Sequence, residues 1–290
     1  MGIRYGDRTR VSTGVGRWLN PQPSLWVPKP IAARANRVTV TANSSAHTKG
    51  AWVQIVASSS ADANLVEVMV DAINTNGVDT SVLVDIGIGA AGAETVIIAN
   101  VAVGGAQSFV GSGQDNGLCF AVPVYVPSGS RVAARIQSLV TGGKTSAVTV
   151  RLSATTNPAL TSASTTTFGS STSTSAGTAM SSSSGTYTEL IASTADRYDC
   201  LSFVPSVSST NVAQNFRVFG IAIGASGSES LIGIVEAVFT GAEGCGVISS
   251  PRQTLFLGDF PAGSRISATL LENAASGFCL TGIGVQSVRV

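Results

Sequence analysis

Two nine-residue stretches, "IGIGAAGAE" at 86–94 and "IAIGASGSE" at 221–229, stand 135 positions apart and match at Ile86/Ile221, Gly89/Gly224, Gly92/Gly227 and Glu94/Glu229. The echo is not isolated. Upstream, "GAWVQIVASSSAD" (50–62) matches "GTYTELIASTAD" (185–196), and downstream "PSGSRVAARI" (127–136) matches "PAGSRISATL" (261–270), bringing Arg131 into correspondence with Arg265. Three matches in the same order describe a duplication. Solenoid repeats have periods of roughly 20–50 residues, so a period of 135 requires each copy to carry its own core.

Within each copy the apolar residues alternate or form short β-branched runs, as in "RVTVTA", "WVQIVA", "LVEVMVDAI", "SVLVDIGI", "TVIIANVAV" and "AVTVRLS", with Gly, Pro, Asn or Ser at the breaks. This is the pattern of strands half-buried on a sheet, and no segment carries a 3.6-residue stripe. Eight or so short strands per copy read as an antiparallel sandwich. The expected fold is therefore all-β: two tandem, related antiparallel β-sandwich domains, jelly-roll-like, with an extended N-terminal arm. Residues 1–35 are assigned to the arm, 36–154 to the first sandwich, 155–167 to a Ser/Thr-rich linker and 168–290 to the second sandwich.

The arm, with its "GRWLNPQPSLWVPKP", belongs to neither copy. Prolines at this density preclude a helix and favour extended chain, leaving Trp18, Leu19 and Trp26 without a core of their own. Through residue 37 there are seven basic residues against one acid, a net of +6, which leaves −5 on the remainder of a chain whose overall charge is +1. Docking on an acidic, partly apolar protein surface accounts for both the charge and the indoles. Trp18, Leu19, Pro21, Trp26, Arg10 and Arg17 are the docking candidates. Phosphate contacts would use the basic residues but not the tryptophans, and no nucleic-acid-binding motif occurs elsewhere, so nucleic acid is an unlikely partner.

Charged residues make up only 11% of the chain and mean hydropathy is +0.34, whereas typical soluble domains are roughly 25% charged. An exterior made of Ser, Thr, Gly and Ala is poorly protected against association, which points to a homo-oligomer or another assembly. No apolar window approaches the ~18 residues of a spanning helix, so no membrane partner is expected. The opening "MGIRYGDRTR" has no apolar signal core, and Gly6 stands where a myristoylation motif needs Ser or Thr. Maturation in a cytoplasm is the expectation. Cys119, Cys200, Cys245 and Cys279 are widely spaced and read as buried free thiols.

"GIGAAG" at 87–92 fits the G-x-G-x-x-G pattern, but a dinucleotide loop must open a helix whose N-terminal amides hold the pyrophosphate. Here the next residues, "AETVIIANVAV", form a strand pattern, and Asp115, at the distance of a ribose-binding acid, sits in the turn-like "GSGQDNG". The second copy has Ala222 in place of Gly87. A hairpin turn explains both copies, with Gly89, Gly92, Gly224 and Gly227 supplying positive-φ positions. Glu94 and Glu229 read as exposed carboxylates beside that turn, and Arg131 and Arg265 as donors to a neighbouring turn. No cofactor, metal or catalytic residue is assigned: His47 is the only histidine, and no nucleophile-elbow, zinc or calcium motif occurs. A carboxylate-pair glycosidase needs only two acids, but aromatics at 6% offer few platforms for sugars.

The arm "RWLNPQPSLW", the related sandwiches marked by "IGIGAAGAE" and "IAIGASGSE", and the Ser/Thr/Gly/Ala-rich, weakly charged composition together resemble virion structural proteins of tailed bacteriophages, particularly head decoration or auxiliary particle proteins. The resemblance implies a non-enzymatic, oligomeric subunit. It would be located in the virion, assembled in the host cytoplasm, and dock on neighbouring capsid or other virion proteins through its arm. A tail or baseplate subunit, or a glycan-binding host-recognition module, is the alternative.

Overall fold

In the computed structural model the described residues are 37–74, 82–103, 118–153, 162–173, 175–207, 215–240, 246–247, 254–272 and 278–287. The first half contributes β1 (Val38–Thr41), β2 (Val53–Val56), β3 (Leu65–Asn74), β4 (Val82–Ile88), β5 (Thr95–Val103), β6 (Leu118–Val122), β7 (Val132–Ser138) and β8 (Thr145–Ser153). They pair antiparallel into two four-stranded sheets, β1-β8-β3-β6 and β2-β7-β4-β5. That strand order is a jelly roll. Alternation decides the inside: Val66, Val68 and Val70 of β3 face the core with Val84, Ile86, Ile98, Phe120, Ile136 and Val148, all 1% exposed or less.

The second half repeats the arrangement with β11 (Ala176–Ala179), β12 (Thr188–Ile191), β13 (Tyr198–Val207), β14 (Asn215–Ile223), β15 (Ser230–Thr240), β17 (Thr254–Phe260), β18 (Ile266–Leu270) and β19 (Phe278–Ser287). Its sheets contain the orders β11-β19-β13-β17 and β12-β18-β14-β15, which match the first half strand for strand. Leu190, Leu201, Phe203, Phe219, Ile221, Val235, Ile266 and Leu280 form its core across both sheets. Burying such a side chain stabilises by about 1.5–3 kcal/mol each. Three short strands have no counterpart: β9 (Ser162–Phe168), β10 (Ser170–Ser171) and β16 (Gly246–Val247). Both halves lie within one compact unit, Arg37–Val290.

One boundary expectation is corrected. Composition assigns residues 162–167 to the linker, yet they belong to β9, which pairs antiparallel with β19 from Gly282↔Phe168 to Ser287↔Ser162. The reason is Phe168. Its ring is buried at 4% exposure, stacked on Tyr198 at 6.4 Å and edge-on to Phe203 at 5.9 Å. Gly282 provides the space, since a Cβ there would collide with the Phe168 ring. A single aromatic anchor fixes a strand whose other residues are all Ser, Thr or Ala.

Candidate functional site

The β4–β5 connection turns at Ala90–Ala93, where Ala93 N–H donates to Ala90 O at 3.0 Å, and Gly89 and Gly92 take φ of +125° and +83°. A Cβ at Gly89 would lie 2.9 Å from Ala93 O, so this position excludes side chains on two grounds. From the start of β7, Arg131 reaches over the turn: Nη1 donates to Glu94 Oε1 at 2.7 Å and to Gly89 O at 3.3 Å, while Nε donates to Gln54 Oε1 at 3.0 Å. Glu94 Oε2 accepts from Gly92 N–H at 3.0 Å. A strand follows the glycines, so no row of helix amides exists here to hold a phosphate.

The second half reproduces each bond. Gly224 and Gly227 have φ of +122° and +79°. Arg265 Nη1 donates to Glu229 Oε1 at 2.9 Å and Gly224 O at 3.3 Å, and its Nε donates to Glu189 Oε2 at 2.8 Å. Glu94 and Glu229 are not the solvated carboxylates expected, because the guanidinium covers them: their side chains are 1% and 8% exposed. Burial acts to raise the Glu94 pKa, but the Arg131 hydrogen bond, the backbone N–H groups and the Arg131 charge together hold it below the ordinary value. For Glu229 its own backbone N–H is the largest influence, burial opposes it, and Arg265 completes a net depression. Arg265 is itself raised, chiefly by the hydrogen bond to Glu189.

A second repeated pin escaped the sequence reading. Ser59 Oγ donates to Pro127 O at 2.6 Å and accepts from Ser130 N–H at 3.0 Å. Thr194 Oγ1 makes the same pair of bonds to Pro261 O and Ser264 N–H, at 3.0 and 3.1 Å. Both lie in the quoted "VASSSAD" and "IASTAD" echoes; the available signal was a hydroxyl at the same place in each.

The halves differ on the outer face of β2-β7-β4-β5, where Asp85 and Arg135 stand in place of Gly220 and Thr269. There an open cleft of about 460 Å³ is lined by His47, Lys49, Asp85, Asn100, Arg135 and Gln137, among others, and by Thr172 from the second half. Asp85 alternates outward from Val84 and Ile86 and is 2% exposed. It accepts from Lys49 Nζ at 2.8 Å, Arg135 Nε at 2.9 Å and Asn100 N–H at 2.7 Å. Arg135 also lies over the Trp52 ring, 4.5 Å from its centroid. Burial, opposed by Asp85 and reinforced by Arg135, depresses the Lys49 pKa. With three donors on it, the Asp85 carboxylate ties β4 to β5, β7 and the Lys49 segment. The cleft keeps one positive charge in excess from Lys49, Arg135 and Asp85, and Asn100 (φ +52°) holds its Oδ1 buried without a protein hydrogen-bond partner.

His47 Nδ1 is 3.0 Å from Ser175 Oγ, but that serine is fully buried and also accepts from Gln137 Nε2 at 2.8 Å. Ser175 is thus a bonded element of the seam between halves and inaccessible to a substrate. Among the described residues no group of three or more His, Cys, Asp or Glu could hold a metal ion, and no helix is long and apolar enough to cross a membrane. The docking candidates Arg10, Arg17, Trp18, Leu19, Pro21 and Trp26 lie outside the described residues.

No family model matches the chain, and no curated protein matches it. Among solved structures it is similar to that of PNGF-II, with a TM-score of 0.45 and 9% identity, covering 88% of this chain and 67% of that one. The similarity is too distant to carry an argument about activity.

Proposed function

We propose that the chain is a non-enzymatic structural subunit of a virus-like particle, a phage capsid decoration or stabilising protein that docks through residues 1–35. The observation that supports this reading is how the polar chemistry is used. The buried ion pairs and hydroxyls close hairpins and join the two halves, while the apolar Met69, Leu231, Ile234 and Leu271 remain 43–53% exposed. Rigid sandwiches with weakly charged exteriors suit packing against neighbours. The arm adds a basic, indole-bearing segment that can order on an acidic partner.

Deleting residues 1–35 is expected to leave the β-rich circular-dichroism spectrum and the melting transition in place while abolishing incorporation into particles. Undiminished incorporation overturns the reading. Electron microscopy of the particle separates a head address from a tail or baseplate address. The Lys49–Asp85–Arg135 cleft favours a second reading, a glycan-recognition module; glycan-array binding that survives arm deletion and is lost in Arg135→Ala would support it.

A further inference from the structure

We propose that copies of this chain associate head to tail, the outer face of β12-β18-β14-β15 in one chain docking on the outer face of β1-β8-β3-β6 in the next. The donating face carries an apolar cluster, with Glu236 exposed beside it on β15. Leu231, Ile234 and Leu271 are 53%, 43% and 43% exposed; Ile234 is the register partner of Gly220. A Cβ at Gly220 would lie 2.9 Å from Leu231 Cδ1 and 3.0 Å from Leu271 Cδ2, so both leucines converge over that glycine.

The repeat shows what such a face does. Leu231, Ile234 and Leu271 correspond to Val96, Ala99 and Gln137 in the first half; these line the open cleft beside the seam with Thr172, Gln137 buried at 2% and Val96 still 38% exposed. At that seam Gln137 donates to Thr172 O and Ser175 Oγ, and Ile97 O accepts from Thr165. Strand β5 packs there on β9, β13 and β19. The receiving surface is the outer face of the second half's β11-β19-β13-β17. Its Ser202, Val204, Thr281 and Ile283 alternate with core residues and so point away from that core, yet they are at most 2% exposed.

Each chain therefore joins one donating and one receiving face internally and leaves one of each uncovered among the described residues. The uncovered receiving face carries Met69, equivalent to Val204 and 43% exposed, beside the Glu67–Arg151 pair at 3.2 Å. Where the internal seam uses Gln137, the free donating face has Leu271, as suits a contact driven by apolar burial. The two faces differ, so the contact is heterologous and adds chains until a ring closes or a filament grows. This deepens the particle-subunit reading, but its failure is separable, because self-association is read on purified protein and docking on particles.

Sedimentation velocity of the full-length chain over a concentration series is expected to show species larger than a dimer. Ile234→Lys and, separately, Met69→Lys are each expected to weaken association by roughly 30-fold or more, the size of a hot-spot loss of ~2 kcal/mol. Leu231→Glu serves as a second donating-face variant if Ile234→Lys disturbs folding, which circular dichroism and melting would reveal. Mixing the Ile234→Lys and Met69→Lys chains should give a 1:1 heterodimer that grows no further, since only one donating and one receiving face remain intact. A wild-type chain that stays monomeric at all concentrations overturns the proposal, as does an oligomer indifferent to either substitution. A dimer sensitive to Ile234→Lys but not to Met69→Lys also overturns it, indicating pairing of the apolar face with itself, and cross-linking of that face to residues 1–35 of the same chain assigns the face to the arm.

Discussion

Arg131 closes on Glu94 at 2.7 Å across the β4–β5 hairpin, and Arg265 closes on Glu229 at 2.9 Å across the equivalent β14–β15 hairpin. Both carboxyls are held below the ordinary value of 4.5. A depressed carboxyl stabilises the fold fully above its unfolded value, and that stabilisation is lost as pH falls through the lower folded value. Arg131→Ala and Arg265→Ala should therefore each lower the melting temperature at neutral pH, and both variants should lose less stability than wild type as pH drops below about 4.5. An unchanged acid limb in melting curves would refute the account.

The glycines of each hairpin are not equivalent. Gly89→Ala and Gly224→Ala place a Cβ within 2.9 and 2.8 Å of a carbonyl oxygen at φ near +125°, and each should cost about 1–3 kcal/mol. Gly92→Ala and Gly227→Ala meet nothing within 4 Å, so only the left-handed backbone remains, at about 1 kcal/mol. Urea denaturation at constant m-value gives the ranking.

Asp85→Ala should destabilise by about 3 kcal/mol, since it leaves two partly buried cations without their shared anion. Adding Lys49→Met should recover part of that loss by removing one of them. Additive losses in the double variant would show that the two groups act independently.

Cys200 is buried, and burial, with the Asp199 charge adding to it, pushes its pKa up to about 12. Cys279 is also buried and forms no disulfide. At neutral pH an alkylating reagent should leave both unmodified in the native protein and modify both after unfolding. Peptide mass mapping resolves these two from Cys119 and Cys245.

Much of the framework was legible because its signals are local. Alternating apolar residues identify strands, and the repeated "GAAG"/"GASG" and "GSR" stretches point to the same hairpins that Arg131 and Arg265 bridge. β9 was hidden because Ser and Thr dominate its composition and only the buried ring of Phe168 reveals it. The Asp85 cluster was hidden for a different reason: Lys49, Asp85 and Arg135 lie on separate elements, and the second half has Gly220 and Thr269 opposite Asp85 and Arg135, so the echo gave no sign of it.

The chain's own order of residues determined that it forms β-structure, where its tight turns fall and which of their residues recur, since period-two burial and positive φ are properties of neighbours along the backbone. Tertiary structure alone decided what the outer faces became. Strand pairing carried Lys49, Asp85 and Arg135 together on one sheet face, and Leu231, Ile234 and Leu271 together on its counterpart. A side chain's charge or apolarity acquires a role only when residues distant in sequence share its surroundings.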